Sequence, residues 1–305
     1  MTNYLWSLYG EEKAVQMIAE AGFDAIDWSL YDANAPGSLV RKEDYRKESV
    51  FLRKTAEDCG LVINQCHAPF RFDFRNEEGK KDAFSMVCRA IEAASLMGAK
   101  TVVVHPLHFW KYPGNEEMIH RENVRYYQSL LSCARDNGIL LCAENMWQWN
   151  DTRDQVIPDE CSYPEEFCAL IDEAGSGLLA ACLDLGHAGI TEKETGTSVP
   201  GFIRKLGGGR LRALHVHDCD GIKDLHTAPY TGTVDWEGVL GALSEISYEG
   251  DFTFEADPFL EKYPVEFVPA ALRFLHDTGR MMMKKIRPAA GKSIHDCLPA
   301  GYRRV

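Results

Sequence analysis

The sequence predicts a single-domain α/β protein folded as a closed (β/α)₈ barrel, and three observations support this prediction. Short apolar runs alternate with longer amphipathic segments along the 305 residues. The residues at the carboxyl ends of the apolar runs recur at steps of 39, 38, 39, 40, 31 and 40 positions, the length of one strand–loop–helix–loop unit. The chain lacks the glycine-rich phosphate loop that an open doubly wound sheet usually carries. We therefore expect a TIM barrel over residues 1–285, with 286–305 as a tail on the barrel.

Seven segments are interpreted as strands because they are continuous apolar runs, as strands buried on both faces should be. They span 23–28, 61–67, 101–106, 139–145, 178–184, 211–218 and 251–257. The eighth strand is expected near the beginning of the chain, in NYLWSLY (3–9). Amphipathic patterns, several of them ending in glycine, predict helices at 10–22, 77–98, 115–137, 163–175, 235–247 and 264–280.

Composition and charge exclude several classes of function. The net charge of −13 disfavours nucleic acids and anionic membranes as partners. No window approaches the roughly 18–20 apolar residues of a membrane span, and the first residues do not resemble a signal peptide. The ten cysteines lack the paired spacing of a zinc ribbon or a disulfide framework, so free thiols and a cytoplasmic location are expected.

Side chains that can bind metals follow the predicted strands. In a barrel the carboxyl ends of the strands meet at one face, where active sites form. Carboxylates crowded on a buried rim would repel one another, and a divalent cation removes that repulsion. Mixed carboxylate and imidazole ligands suit Mn²⁺, Zn²⁺, Co²⁺ or Fe²⁺. The sequence therefore predicts a metal site among the following residues: His67, His105, Glu144, Asp184, His187, His215, His217 and Glu255.

Five motifs resemble one superfamily when their order and spacing are taken together. They are LCAEN (141–145), CLDLGH (182–187), LHVHDCDG (214–221), DLHTAPYTGTVDW (224–236) and FTFEAD (252–257). From about residue 3 to residue 280 the chain is similar to the xylose-isomerase-like barrel superfamily. Within it, the chain resembles the sugar and sugar-phosphate isomerases and epimerases, of the tagatose and psicose 3-epimerase type. The resemblance implies a sugar or sugar phosphate as the small-molecule partner.

The resemblance also implies roles for individual residues. One divalent metal would be held by four residues: Glu144, Asp184, His215 and Glu255. Glu144 and Glu255 would be catalytic, one removing a proton next to a carbonyl and the other returning it through a cis-enediolate. His187 matches a substrate-binding histidine. His215 is favoured over His217 as the ligand because it begins an H-x-x-D stretch, although both point to the same face of a strand.

Aromatic residues near the same rim suit a sugar ring. Trp6, Trp110 and Trp147 are expected to stack on the apolar face of the substrate and to exclude water. The segments 105–115 and 144–155 are expected to be loops that cover the site. Barrels of this family often pair, so a homo-oligomer is compatible with the resemblance, although the sequence shows no interface signature.

The same superfamily contains a rival with a longer set of ligands. Type IV apurinic endonucleases hold three zinc ions, and nine residues fill that set in order: His67, His105, Glu144, Asp184, His187, His215, Asp224, His226 and Glu255. The net charge of −13 and the aromatic loops favour a small ligand over DNA. A lyase of the inosose dehydratase type and a non-enzymatic sugar-binding protein are further alternatives.

Overall fold

The computed structural model describes residues 3–72, 74 and 76–286. Its strands are β1 (Ala25–Ser29), β2 (Val62–His67), β3 (Thr101–Val104), β4 (Leu140–Glu144), β5 (Trp147–Asn150), β6 (Gln155–Pro158), β7 (Leu179–Asp184) and β8 (Leu211–His215). Its helices are α1 (Asn3–Tyr9), α2 (Glu11–Ala21), α3 (Tyr45–Asp58), α4 (Glu77–Met97), α5 (Glu116–Asn137), α6 (Pro164–Glu173), α7 (Leu185–Thr195), α8 (Val199–Arg210), α9 (Trp236–Glu245), α10 (Asp257–Glu261) and α11 (Val268–Met283).

Six strands form one parallel sheet in the order β1-β2-β3-β4-β7-β8. A further segment continues the wall, since Val216 N–H donates to the carbonyl of Thr253 (2.8 Å) and Glu255 N–H donates to the carbonyl of Val216 (3.2 Å). The sheet curls until the rings of Phe23, just before β1, and Phe254 lie 6.4 Å apart. This arrangement, with helices outside the wall, confirms the predicted α/β TIM barrel.

The beginning of the chain differs from the prediction, because Asn3–Tyr9 forms helix α1 rather than the eighth strand. The segment contains no β-branched residue, so its apolar run favours a helix as readily as a strand. Leu5 is fully buried, and Tyr4 N–H donates to Asp257 Oδ2 (3.2 Å), which fixes α1 against α10. Gly10, at φ +78°, then separates α1 from α2.

Two predicted segments near the mouth also differ in detail. The predicted loop 144–155 is largely a hairpin, in which β5 and β6 pair in antiparallel fashion. The predicted strand 251–257 is reduced to one bridge between Val216 and Phe254. Both differences arise in short segments that pair with few neighbours, where the apolar pattern alone does not decide the pairing.

Small apolar residues fill the barrel beneath the strand ends. They form a buried cluster of their own, made of Val103, Cys142, Ala180, Cys182 and Ala213. The main hydrophobic core lies between the wall and the surrounding helices. The floor of the mouth is therefore apolar, which strengthens electrostatic interactions just above it.

The cysteines depart from the expectation at one pair. Cys88 of α4 and Cys133 of α5 form a disulfide, so the expectation of free thiols is wrong for these two residues. Cys66, Cys142 and Cys182 are buried free thiols in the strands, as expected. Within the described part of the chain, no helix combines the length and apolar character that crossing a bilayer requires.

Candidate metal centre

Side chains at the barrel mouth form three adjoining groups, and the candidate ligand atoms of each group lie within 4.8 Å of one another. The central group consists of Glu144, Asp184, His215 and Glu255. The His67 group consists of His67, His105 and Glu144. The His226 group consists of His187, His217, Asp224 and His226. The structure therefore brings together all the residues that the sequence suggested as metal ligands.

Strand register accounts for the central group. Asp184 is the register partner of His215 across β7 and β8, and Glu144 is the partner of Cys182 across β4 and β7. Glu255 follows on the next segment of the wall, and its N–H group donates to the carbonyl of Val216, directly after β8. Because parallel strands in register end at one edge, side chains distant in sequence meet there.

Glu144 joins two of the groups because its two oxygens face different imidazoles. Glu144 Oε2 lies 3.3 Å from His67 Nε2 and 3.2 Å from His105 Nε2. Glu144 Oε1 lies 3.2 Å from His215 Nδ1 and 3.5 Å from His187 Nδ1. This carboxylate is fully buried and has the geometry of a bridge between the His67 group and the central group.

His215 lies at the centre of the central group and is fully buried. Its Nδ1 atom is 2.8 Å from Glu255 Oε2, 3.2 Å from Glu144 Oε1 and 3.8 Å from Asp184 Oδ2. Its Nε2 atom faces away, 3.8 Å from Asp27 Oδ2. Nδ1 is therefore the nitrogen that would share a cation with the three carboxylates.

His217 belongs to the neighbouring His226 group. Asp224 Oδ2 lies 3.0 Å from His226 Nε2 and 3.3 Å from His187 Nε2. The His217 ring stacks on His226, with centroids 3.9 Å apart, and its Nε2 atom is 2.9 Å from the Asp184 carboxylate. His217 therefore connects the two groups, whereas His215 faces Glu144 and Glu255.

Backbone carbonyls orient three of the imidazoles. The Nδ1 atom of His67 is 2.8 Å from the carbonyl of the next residue, that of His187 is 2.9 Å from the carbonyl of Asn145, and that of His226 is 2.9 Å from the carbonyl of Glu255. A carbonyl only accepts, so each Nδ1–H donates. Each Nε2 is then directed into its group, where it would bind a metal through its lone pair once it has lost its proton. This second contact is typical of metal-binding histidines.

Buried polar atoms in the mouth test whether a cation fits. Among the described residues, the following atoms have no hydrogen-bond partner: His105 Nδ1, both ring nitrogens of His215, Asp224 Oδ1 and Glu255 Oε2. Buried polar groups are normally satisfied, so these atoms mark positions suited to a ligand. Carboxylates and imidazoles together fit Mn²⁺, Zn²⁺, Co²⁺ or Fe²⁺. The residues present can therefore hold a divalent metal.

The charges in the mouth follow from burial and from the facing groups. Burial acts to raise the pKa of Glu144 and of Glu255, but the facing imidazole of His215 outweighs it and holds both pKa values below their usual range. Burial lowers the pKa of His105 to about 4. This imidazole is therefore neutral at neutral pH, which is the form that binds a metal.

The polar side chains from His215, the last residue of β8, to Asp218 make different contacts. His215 joins the central group and His217 joins the His226 group. Asp218 is fully buried and accepts hydrogen bonds from the N–H groups of Cys219 (2.9 Å) and Val234 (3.1 Å) and from the indole N–H of Trp236 (2.8 Å). Asp218 therefore fixes both ends of the loop that carries Asp224 and His226.

Gly186 makes room for the His217 ring, which gives a test of the packing. A Cβ atom at position 186 would overlap this ring. We expect Gly186→Ala to displace His217, to lower the free energy of unfolding by about 1–3 kcal/mol and to weaken metal binding. Urea unfolding and metal titration measure these effects. Gly241→Ala, in helix α9 with no atom near the new Cβ, is the matched control and should unfold at the same or higher urea concentration. A Gly186→Ala protein with unchanged stability and metal affinity would contradict this packing.

The predicted aromatic residues occupy different places. Trp147, at the start of β5, packs edge-on against His187 with centroids 6.4 Å apart. Trp110 lies against Phe109 in the segment after β3, with centroids 3.9 Å apart. Trp6 lies on α1 and packs against the hydrophobic core, so it does not follow a strand. Their roles toward a substrate stay predictions.

The sequence prediction did not include Asn145, which hydrogen-bonds Asp184 and His187 and so fixes their positions. Its side chain accepts from Asp184 N–H (2.7 Å) and donates to the Asp184 carbonyl (3.0 Å). Its own carbonyl accepts from His187 Nδ1 (2.9 Å). The signal was its place directly after Glu144 in LCAEN.

Sequence comparisons agree with this architecture. Residues 15–276 match the family described as xylose isomerase-like TIM barrel. The protein MJ1311 of Methanocaldococcus jannaschii is 28% identical over 251 residues, which cover 79% of this chain and 78% of that protein. L-ribulose 3-epimerase of Methylomonas sp. (strain DH-1) is 25% identical over 260 residues, which cover 82% of this chain and 80% of that protein.

Solved structures show the same fold. A D-tagatose 3-epimerase-like protein has a TM-score of 0.67 at 22% identity, with 89% of this chain and 98% of that chain covered. The 3-keto-D-glucoside 4-epimerase YcjR of E. coli has a TM-score of 0.68 at 16% identity, with 90% and 95% covered. These likenesses show the fold, and the family match over residues 15–276 establishes that the chain belongs to the xylose isomerase-like TIM barrel family.

Proposed function

We propose that this protein is a divalent-metal-dependent epimerase or isomerase of a small sugar or sugar phosphate. The observation that carries the proposal is the central group, in which two buried glutamates, Glu144 and Glu255, face the same atom, His215 Nδ1, at 3.2 and 2.8 Å. Two carboxylates at one buried position are what a proton removal and a proton return require. The similarity to L-ribulose 3-epimerase supports this choice within the family.

The two glutamates would remove one proton from the substrate and return another. One carboxylate removes the proton from the carbon next to the ketone, which leaves an enediolate. The other glutamate, after taking up a proton from solvent, delivers a proton to carbon. When the proton leaves C3 of a 2-ketose, delivery to the opposite face of C3 gives the 3-epimer. When the proton leaves C1, delivery to C2, with a hydroxyl proton passing from O1 to O2, gives the aldose. Both glutamates are ionised at neutral pH, since His215 holds their pKa values low, so either one can begin as the base.

The cation would stabilise the charge that develops on the ketone oxygen, and the surrounding side chains would bind the substrate. A metal held by Glu144, Asp184, His215 and Glu255 would act as a Lewis acid toward the ketone oxygen. The imidazoles of the two other groups can hydrogen-bond sugar hydroxyls. Phe70, stacked on His105 at 4.1 Å, and Trp147 provide apolar surface for the sugar ring and exclude water.

Incubation of the metal-loaded protein with a panel of ketoses and ketose phosphates in heavy water tests the proposal. We expect deuterium to enter the carbon next to the carbonyl of at least one substrate, together with formation of its epimer or aldose, as observed by NMR. Metal analysis of the same sample should find a divalent ion. A loaded protein that exchanges no proton on any member of the panel would count against a sugar epimerase or isomerase.

A second candidate, a multi-metal phosphodiesterase, is favoured by one specific observation. The His67 group and the His226 group flank the central group and offer ligand sets of their own. Three neighbouring cations would clamp the attacking and leaving oxygens of a phosphodiester. The net charge of −13 opposes binding to DNA, which depends on neutralising phosphates.

Asp224→Asn separates the two candidates because Asp224 belongs to the His226 group alone. For the sugar enzyme, we expect Asp224→Asn to keep the central metal and most of kcat, and to raise KM by about tenfold through a lost substrate contact. For the phosphodiesterase, metal content and cleavage of abasic DNA would both fall. Elemental analysis, the ketose assay and the abasic DNA assay distinguish the two candidates. Asp151→Asn, which changes an exposed residue after β5, is the control.

A further inference from the structure

A second cluster of metal-ligating side chains lies outside the mouth. His120 belongs to α5, Glu160 follows β6, and Glu166 lies in the first turn of α6. One candidate ligand atom from each of these three residues lies within 4.8 Å of the other two. None of the three belongs to the groups at the mouth, so the proposed sugar chemistry does not use them.

Glu160 is the unusual member of this cluster. Its side chain is 0% exposed, and neither carboxylate oxygen has a hydrogen-bond partner among the described residues. The side-chain nitrogen that faces Glu160 is His120 Nδ1, at 3.7 Å from Glu160 Oε1, and it also lacks a hydrogen-bond partner. A buried carboxylate without donors is strongly unfavourable unless a proton or a cation compensates it.

His120 is oriented as a metal-binding histidine would be. Its Nε2 atom is 3.3 Å from Glu173 Oε2, so this ring nitrogen faces a carboxylate. Nδ1 faces Glu160 at 3.7 Å, so on loss of its proton its lone pair would be directed at a cation held by Glu160. A carboxylate on one ring nitrogen and a metal on the other is the common arrangement of such sites. The side chain of Glu173 is 58% exposed and that of His120 is 19% exposed, so solvent reaches the outer side of this cluster.

We propose that His120, Glu160 and Glu166 form a second, structural metal site that takes a divalent transition cation such as Zn²⁺ or Mn²⁺. One imidazole and two carboxylates match the preferences of these ions, and three protein ligands leave a position for water. The cation neutralises Glu160 and supplies the partner that its oxygens lack.

The position of this site suggests what the ion does. Tyr112, in the segment after β3, donates its hydroxyl to Glu166 Oε1 at 2.8 Å, and its backbone N–H donates to Gln148 Oε1 of β5 at 3.0 Å. The ion therefore ties α5 and α6 to the two segments that border the barrel mouth. Removal of the ion loosens these segments and lowers the melting temperature.

Anomalous diffraction from wild-type crystals grown with Zn²⁺ or Mn²⁺ tests the site directly. We expect an anomalous peak between His120 Nδ1 and the carboxylates of Glu160 and Glu166. The experiment needs no variant, so a folding defect cannot obscure it. A map with metal at the mouth and no peak at this cluster would overturn the proposal.

A pair of variants tests the same site in solution. Glu160→Gln should bind about one ion per chain fewer than wild type after dialysis against micromolar metal, and its melting temperature should no longer depend on that ion. Glu165→Gln, an exposed neighbour of Glu166 that pairs with Lys205, is the control and should keep the wild-type metal content. Wild-type metal content in Glu160→Gln would show that Glu160 and Glu166 share a proton instead, and would refute the proposal.

Discussion

Glu255→Gln is expected to lower kcat for epimerisation or isomerisation by about 10²–10⁴-fold, the contribution that a positioned acid or base makes to a proton transfer. The amide has nearly the same volume as the carboxylate, so the fold should persist. The amide cannot take a proton from carbon. In the wild-type protein Glu255 Oε2 lies 2.8 Å from His215 Nδ1, and the amide places there either an N–H group or an oxygen that is a weaker acceptor. The rate of deuterium incorporation into the ketose in heavy water measures the effect.

Two controls separate the chemical role of Glu255 from its role in holding the metal. The assay is run at saturating metal, and metal content is measured on the same sample. Glu261→Gln, an exposed residue at the end of α10, changes the same functional group nearby and should leave kcat within about twofold, as surface substitutions away from the site usually do. If metal-loaded Glu255→Gln exchanges protons at the wild-type rate, the two-glutamate mechanism is wrong.

The residues at the strand ends could be predicted because two simple regularities determine where they lie. A strand, a loop and a helix repeat at nearly constant length, and parallel strands end at one edge. Glu144, Asp184 and His215 could therefore be placed together from their positions in the repeat. The sequence resemblance then singled out the same residues, and the barrel and its family are confirmed.

The loops and helices that complete the molecule were less predictable. Asn3–Tyr9 is too short for its apolar pattern to distinguish a strand from a helix, and its contact with α10 joins residues 253 positions apart. The cluster of His120, Glu160 and Glu166 comes from a helix, a loop and another helix, with no motif spacing. Its members meet only after α5 and α6 pack on the barrel, which sequence pattern does not specify.

The His67 group and the central group share one carboxylate, that of Glu144. Glu144 places Oε2 at 3.3 Å from His67 and Oε1 at 3.2 Å from His215. A carboxylate can accept on both oxygens, whereas an amide accepts on one and donates on the other. Every orientation of an amide here therefore leaves one of the two groups with an N–H group directed at it.

Glu144→Gln should consequently have the broadest effect of the substitutions at the mouth. We expect it to remove both the metal of the central group and the proton transfer, so that kcat falls at least as far as in Glu255→Gln, by about 10²-fold or more. Elemental analysis and the heavy-water assay on the same sample measure the two effects, again with Glu261→Gln as the control.

The metal count of Glu144→Gln also distinguishes one ion at the mouth from several. With a cation in the central group alone, Glu144→Gln and Glu255→Gln should lose the same amount of metal. With a second cation in the His67 group, Glu144→Gln should lose about one ion more, because Glu144 bridges the two groups and Glu255 does not. Full retention of metal and activity by Glu144→Gln would show that this carboxylate is neither a metal ligand nor a base. It would therefore refute the assignment of Glu144 to the central group.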